Sequence, residues 1–396
     1  MFRRSRPHIA SCFPGKVTRT AFLLFAVLLP PAPYVSPGGE AAGAPAPSLQ
    51  QVQTGAGSDG AREATVLEPG EAVERELAGG QTHSYQMRLA QGQHAVVSLD
   101  QRGIDVVVEL LGTDNGLIAA FDGEIRSQGK EEIEAVAETT GTYTLSVRAK
   151  LKGVPAGSYE IRFAETRAAT DDDRSLQEAR KLHAQFARLQ RVGRYDEARP
   201  LIERALAIAE RVLGAEHVYV ARLVGELGDN YYAGVDHAKA KPLYERALAI
   251  LEKGLGAEHP RTAHAAHRLG VAYFIENDVA GADKLFNRAL EVREKQLGPE
   301  HPQVALSLHD LGLLYDGRGD RAKAEQFLQR ALAIAEKNPG TEDALLATAL
   351  NSLGAHYLEK SDNERAEQFL QRSLAVREKL YGPEHFNLAD VLHNLG

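Results

Sequence analysis

The chain has 396 residues, 43% of them apolar and 25% charged, with a formal charge of −8. That composition can bury substantial cores and fits two domains, or one domain plus an array. The charge is mildly negative and no Lys/Arg block is long enough to track a phosphate backbone, so nucleic acid is not an expected partner.

Residues 1–44 read as a separable signal peptide. Arg3, Arg4, Arg6, Lys16 and Arg19 precede the apolar run A-F-L-L-F-A-V-L-L (Ala21 to Leu29), which Pro30 and Pro31 break, and A-G-A follows at Ala42 to Ala44. This layout predicts export, to the periplasm or the exterior. The run is too short to cross about 30 Å of hydrocarbon as a helix, so no stable membrane span is expected. Cys12, the only cysteine, lies before the run, which leaves the mature chain without a disulfide, a thiolate nucleophile or a cysteine metal site. Residues 45–68, rich in Ala, Gly, Pro, Ser and Gln, read as a disordered linker. Within them G-A-G-S-D-G (Gly55 to Gly60) has the form of a dinucleotide fingerprint but lacks the preceding strand and following helix that such a site needs.

Residues 69–167 alternate with period two at His83 to Leu89, His94 to Leu99, Val106 to Leu111, Thr142 to Val147 and Tyr159 to Phe163. Turn signals punctuate them at Gly79-Gly80, Gly92, Asn115-Gly116, Gly141 and Gly157. Short strands so spaced predict a small antiparallel β-sandwich. The succession G-Q-T-H-S-Y-Q-M-R-L, G-Q-H-A-V-V-S-L, D-V-V-V-E-L-L-G-T-D-N-G, T-G-T-Y-T-L-S-V and G-S-Y-E-I-R-F resembles the bacterial pre-peptidase C-terminal domain. The resemblance implies a β-sandwich with an adhesive or accessory role, of the kind found beside secreted enzymes and exported repeat proteins. Asp105, Asp114 and Asp122 are candidates for a calcium site at a loop end; the alternative is that they are turn and edge residues, where acids are enriched.

Residues 168–174 read as a short linker, and Asp171-Asp172-Asp173 suits a helix N-terminus. Beyond it, Leu-Gly recurs at Leu227, Leu269, Leu311, Leu353 and Leu395, always 42 residues apart, and Arg-Ala-Leu keeps the interval at Arg204, Arg246, Arg288 and Arg330. Such a period means stacked units, none of which hides its apolar face alone. Val304, Leu308, Leu311 and Tyr315, then Ala324, Phe327, Leu328, Ala331 and Leu332, follow helical spacing, so each unit is a helical hairpin. Gly312 and Ala324 allow close approach of its two helices. Asp236, Asp278, Asp320 and Asp362 stand where second helices are capped, and L-G-P-E-H-P (Leu297 to Pro302) joins a stop glycine to a first-turn proline. Residues 175–396 are therefore expected to form an all-α superhelical solenoid of helix-turn-helix repeats.

The pattern resembles the tetratricopeptide repeat, and the 42-residue period with L-G-x-E-H-P resembles its kinesin-light-chain type, with Leu269, Gly270, Tyr273, Ala282, Phe286 and Ala289 in the family's small and large positions. The array has five full copies and a truncated sixth. The first copy departs most, with Gln185-Phe186 for Leu-Gly, as expected of a capping repeat packed against something else. The boundary N-P-G-T-E-D (Asn338 to Asp343) drifts too, Asp343 taking the place of the boundary histidine, and either residue type can cap a helix. Gly396 falls inside the first helix of the sixth copy, so the chain is expected to be a fragment of a longer one. Exported proteins with this arrangement resemble those that continue into a caspase-like CHAT peptidase domain; its catalytic residues would lie past Gly396, so no enzyme activity is assigned here.

His217, His259, His301 and His385 recur at repeat boundaries, but units spaced by about 8–10 Å cannot bring them to one zinc ion. Neither a metal nor a cofactor is expected, and no hydrolase or phosphate-loop motif is present in the sequence. In the family that the repeats resemble, first helices line a concave groove, and the third residue before the Leu-Gly glycine points into it. Here that column is His183, Gly225, His267, His309, Asn351 and His393, with Arg180, Arg222 and His264, then Asp229, Val271 and Leu313, then Tyr232, Phe274, Asp316 and Leu358 beside it. The expectation is that an extended peptide docks there. His267, His309 and Asn351 would donate to its backbone or acidic groups, Phe274, Leu313 and Leu358 would fill pockets, and affinity would rise in mild acid. The alternative is an ordinary solvated face. Two functions follow: a noncatalytic interaction scaffold for proteins or acidic peptides, or the regulatory arm of a multidomain CHAT-type peptidase.

Overall fold

The computed structural model describes residues 64–122, 128–150, 154, 156–338 and 343–396. The signal peptide, Cys12 and the Gly55 to Gly60 stretch lie outside these residues. No helix among the described residues is long and apolar enough to cross a membrane. Two compact units divide them, one ending at Ala257 and the other starting at Glu258.

The first unit opens with nine strands: β1 (Thr65–Val66), β2 (Ala72–Leu77), β3 (Thr82–Leu89), β4 (Gln93–Arg102), β5 (Val106–Leu111), β6 (Leu117–Phe121), β7 (Gln128–Val136), β8 (Gly141–Ala149) and β9 (Gly157–Ala168). They form two sheets, ordered β1-β3-β8-β5-β6 and β2-β9-β4-β7. Every pairing is antiparallel except β1 with β3, which is parallel. The two inner faces meet on Tyr85 and Met87, Val97 and Leu99, Val106, Val108 and Leu110, Leu145 and Val147, and Tyr159, Ile161 and Phe163. These are alternate residues of each strand, as a two-sheet core requires. The Tyr85 and Tyr159 hydroxyls meet at 2.6 Å inside it, and His83 Nδ1 lies 2.7 Å from the latter, so the buried phenols are satisfied. Gly157 passes so close to Gly103 that a Cβ there would lie 2.6 Å from a backbone carbon.

The three candidate calcium carboxylates do not converge. Lys150 Nζ lies 2.8 Å from Asp122 and 3.6 Å from Asp105, while Asp114 accepts the Gly116 N–H at 2.9 Å in its own turn. Among the described residues no three His, Cys, Asp or Glu side chains are grouped to hold a metal. Burial pushes Asp105 up to about 7, against Lys150, with Asp122 and Glu131 adding to the rise.

Two expected linkers are shorter than their sequences suggest. Thr65–Val66, inside 45–68, pairs with β3, and Leu67 is buried in the core. Strand β9 runs to Ala168 and helix α1 (Asp171–Arg191) begins three residues later, so residues 168–174 are not a linker. The reason is local: the Thr170 hydroxyl accepts from Asp173 N–H at 3.2 Å and Asp173 accepts from Thr170 N–H at 2.7 Å, a capping box that starts the helix at once.

The helices continue as α2 (Tyr195–Leu213), α3 (Val218–Ala233) and α4 (His237–Leu255) in the first unit. The second unit holds α5 (Pro260–Ile275), α6 (Val279–Leu297), α7 (Pro302–Gly317), α8 (Arg321–Lys337), α9 (Asp343–Glu359), α10 (Asn363–Tyr381), a 3-10 turn at Phe386–Leu388 and α11 (Ala389–Leu395). Odd and even helices pair as hairpins. Gly228, Gly270, Gly312 and Gly354 seat them: a Cβ there would lie 2.5–2.8 Å from Tyr244, Phe286, Leu328 and Leu370 respectively. Second helices stop on Gly214, Gly256, Gly298 and Gly382, all at positive φ, and Pro260 and Pro302 occupy the first turn of α5 and α7.

Caps differ in one place. Asp278, Asp320 and Asp362 accept a backbone N–H three residues on, but Asp236 makes no such cap and pairs with Lys239 at 2.8 Å. First helices are capped by histidine: Nδ1 of His217, His259 and His301 accepts the N–H two residues on at 3.1 Å, and His385 does so at 3.2 Å. Asp343 is itself the first residue of α9, and the residues before it lie outside the described set.

Second helices are joined by repeating ion pairs. Arg246 pairs with Glu210, Arg330 with Glu294 at 2.5 Å and Arg372 with Glu336 at 2.6 Å. Lys253 reaches Glu216, and Lys295 reaches Glu258 and Lys337 Glu300 at 2.6 Å, each acid standing in the turn that follows the preceding second helix. Exposed pairs of this kind contribute little each, about 0–1 kcal/mol, so their effect is on register more than on stability.

Candidate partner-binding surface

The groove columns predicted from sequence lie on the first helices α1, α3, α5, α7 and α9, and packing divides them. In the first unit α1 docks on the sandwich. Gln177 accepts from Val136 N–H at 2.6 Å and donates to Val136 C=O at 2.7 Å, extending the pairing of β7, and Lys181 reaches Glu138 at 2.6 Å. Arg180 pairs with Glu134 and stacks 5.5 Å over the Phe121 ring, so it belongs to this junction rather than to a groove. The sandwich is thus what the divergent first repeat packs against.

The histidine column is internal, which corrects the donor role expected for it. His183 Nε2 lies 2.5 Å from Glu226 of α3, which also takes Arg222 Nε at 3.0 Å. Burial opposes charge on Glu226, yet His183 and Arg222 outweigh it and hold the carboxyl well below its ordinary range. In the second unit His267 Nε2 lies 2.8 Å from Asp310 Oδ2, His309 Nε2 lies 2.9 Å from Ser352 Oγ, and Asn351 contacts Asp390 and Asn394 at 3.3 Å. Each contact joins one first helix to the next. The partner stands 43 residues on in the pairs 183/226, 267/310, 309/352 and 351/394, because successive first helices lie side by side with a one-residue stagger on the 42-residue period. His309 is fully buried and His267 is 5% exposed, so neither faces a peptide.

Other predicted positions are also consumed. Val271 and Leu313 are buried, and Asp316 accepts from His356 Nδ1 at 2.8 Å. Asp229 accepts from the Tyr244 hydroxyl at 3.1 Å. His264 Nδ1 takes Arg293 Nη2 at 3.3 Å. What stays half-buried with an apolar surface is the column at the far end of the first helices: Tyr232, its ring 4.9 Å from that of His237, in the first unit, and Phe274 and Leu358 in the second.

Sequence reading missed two buried guanidiniums. Arg293 of α6 is fully buried and donates to Ser307 Oγ at 2.6 Å and Gln303 C=O at 3.2 Å; Arg377 of α10 donates to Asn387 C=O and Asp390. Each ties a second helix to the start of the next hairpin. The signal was present: the same column holds Ala209, Leu251 and Ala335, all buried, so a charge there had to find internal partners.

Asp310, His309 and Ser352 are linked in the order carboxylate, imidazole, hydroxyl, the bonding order of a hydrolytic triad. Ser352 is 2% exposed in the interior of α9, so a substrate carbonyl has no approach to it. A shallow hollow lined by Val279, Ala280, Asp283, Lys284, Asn287 and Arg318 contains none of the predicted groove residues, and its Arg318 is paired with Asp283 at 3.1 Å.

Comparison with known proteins bears on the helical part. The tetratricopeptide-repeat family model matches residues 187–253, 261–337 and 345–396. Comparison with curated proteins returned no match. Among solved structures the chain is similar to BtubC (BKLC) from P. vanneervenii, at 24% identity and a TM-score of 0.45, covering 54% of this chain and 91% of that one. It is also similar to nearly identical TPR-like repeats named for kinesin light chain in Podosopora anserina, at 28% identity and a TM-score of 0.43, covering 51% and 95%. A third is aspartyl phosphate phosphatase F from Bacillus subtilis, at 13% identity and a TM-score of 0.46, covering 56% of each chain. With hairpins seated on glycine at a 42-residue period and a family model that follows them, the helical part of this chain is an array of tetratricopeptide repeats.

Proposed function

We propose that the chain is a noncatalytic protein-interaction scaffold that holds an extended peptide segment along the first helices of its repeats. The observation that carries this reading is the column ending those helices: Phe274 and Leu358 keep half-buried apolar surface while the columns beside them are used up in internal contacts. Apolar anchors in shallow sites give most of the energy of peptide capture. The acidic-peptide preference first expected from the histidines loses its basis, because His267 and His309 already face Asp310. In this reading the sandwich is an accessory that closes the first repeat, and the signal-peptide-like residues 1–44 send the scaffold out of the cytoplasm.

The test is selection of peptides from a displayed random library against the full chain. Selected binders should carry apolar side chains. Phe274→Ala with Leu358→Ala should weaken them about tenfold or more, the effect of losing an anchor. Binders indifferent to both substitutions, or no binders at all, would overturn the groove.

A further inference from the structure

We propose that the linked contacts His267–Asp310 and His309–Ser352 form an acid-sensitive latch, which holds the first helices of the third, fourth and fifth repeats together at neutral pH and releases them below about pH 6. The geometry is that of a relay across three helices. The Asp310 carboxylate of α7 offers Oδ2 to His267 of α5 at 2.8 Å and Oδ1 to His309 at 3.0 Å; His309 in turn reaches Ser352 of α9 at 2.9 Å. All four side chains are 5% exposed or less.

The protons can be assigned from these partners. A carboxylate only accepts, so His309 carries its hydrogen on Nδ1 and its Nε2 accepts from the Ser352 hydroxyl. His267 Nε2 lies 2.8 Å from Asp310 Oδ2, close enough for an ion pair but outside hydrogen-bond alignment, so this buried nitrogen is held by charge alone. A proton added to His267 sets a new cation beside Arg293 of α6, which is fully buried, and Arg268 on its own helix, with His264 one turn away.

Burial pushes His267 down, Arg293 adds to this, and together they outweigh the pull of Asp310. Burial also works against charge on Asp310, but its contacts with His267 and His309 prevail and hold it below the ordinary carboxylate range. The sign follows from proton linkage. As pH falls through the ordinary histidine value, the separated helices take up a proton that the closed latch refuses, so closure is lost. Asp310, with a depressed value, loses its contribution in the same direction at lower pH.

The test uses the full chain and hydrogen exchange read by mass spectrometry between pH 7.5 and 5.5, corrected for intrinsic rate. Peptides from α5, α7 and α9 should lose protection by about tenfold per pH unit below the ordinary histidine value. The double variant His267→Gln, His309→Gln, which keeps donors and acceptors but does not titrate, should hold its protection across the range. Unchanged protection of the wild type at pH 5.5, or an equal acid loss in the double variant, would overturn the latch. Should the variant not fold, ring-proton NMR of the fourteen histidines of the wild type decides. The latch requires one ring, that of His267, to stay neutral until helix protection drops with it; reversible titration of every ring near pH 6.5 with protection intact would refute it.

Discussion

The sandwich closes its core with strands distant in sequence, Tyr85 against Tyr159 and Leu99 paired with Ile161, while the repeats draw their contacts from within a hairpin, as Gly354 with Leu370, or from the next repeat, as His309 with Ser352. The sandwich core is built of large side chains; the hairpins meet on Gly and Ala, and polar ladders set their spacing. The difference teaches where damage spreads. A closed core has one copy of each contact, so a loss there is felt by the whole domain, whereas an array loses a nearest-neighbour term.

The largest effect should come from the closed core. Leu145→Ala removes a fully buried side chain from β8 and should cost about 2–5 kcal/mol in chemical denaturation of the full chain. A cost below about 1 kcal/mol would show that the sandwich can collapse around the gap. Next is a hairpin seat. Gly354→Val places a Cβ 2.5 Å from Leu370 Cγ and should cost about 1–3 kcal/mol, with faster amide exchange in α9 and α10 and none in the sandwich. Spread of that exchange into the strands would erase the contrast drawn here.

A pH effect sharpens it within the sandwich. Asp105 is pushed up to about 7, so between the ordinary aspartate value and pH 7 the folded chain keeps a proton that the unfolded chain has lost. Stability should fall as pH rises through that window, with a slope approaching about 1.4 kcal/mol per pH unit. Melting of Asp105→Asn between pH 4.5 and 8 should lack this slope. Smaller still is a gain: Val235 is held at φ 65 where the equivalent turn residues are Gly193, Asn277, Gly319 and Ser361, and it is 59% exposed. Val235→Gly should stabilise by about 1 kcal/mol by relieving a β-branched residue in the left-handed region. Smallest is Lys337→Ala, which breaks an exposed rung to Glu300 and should cost less than about 0.5 kcal/mol in thermal denaturation.

Much of the fold was legible because its signals are local. Strands β3, β4, β5, β8 and β9 alternate, and the repeats announce themselves by period. Strand β7 does not: Q-G-K-E-E-I-E-A-V holds three Glu and a Lys, which strands disfavour, and only its neighbours β4 and α1 make it one. Of the candidate surface, the columns were legible but not their facing. Whether His267 looks outward or at Asp310 depends on how one first helix lies against the next, a stagger that no single helix encodes. Reading each first-helix residue against the one 43 positions later would have exposed the complementary pairs His183/Glu226 and His267/Asp310.

The charged rungs between second helices carry an orientation. In these rungs the basic residue lies 36 or 37 positions after its acid, Arg330 after Glu294, Lys337 after Glu300 and Arg372 after Glu336, so the hairpin α7–α8 presents basic groups backward and an acid forward. A hairpin of this kind duplicated whole would find both neighbours already matched, while a break at another length would take each base out of reach of its acid. Growth by complete copies is the change in length that this surface tolerates.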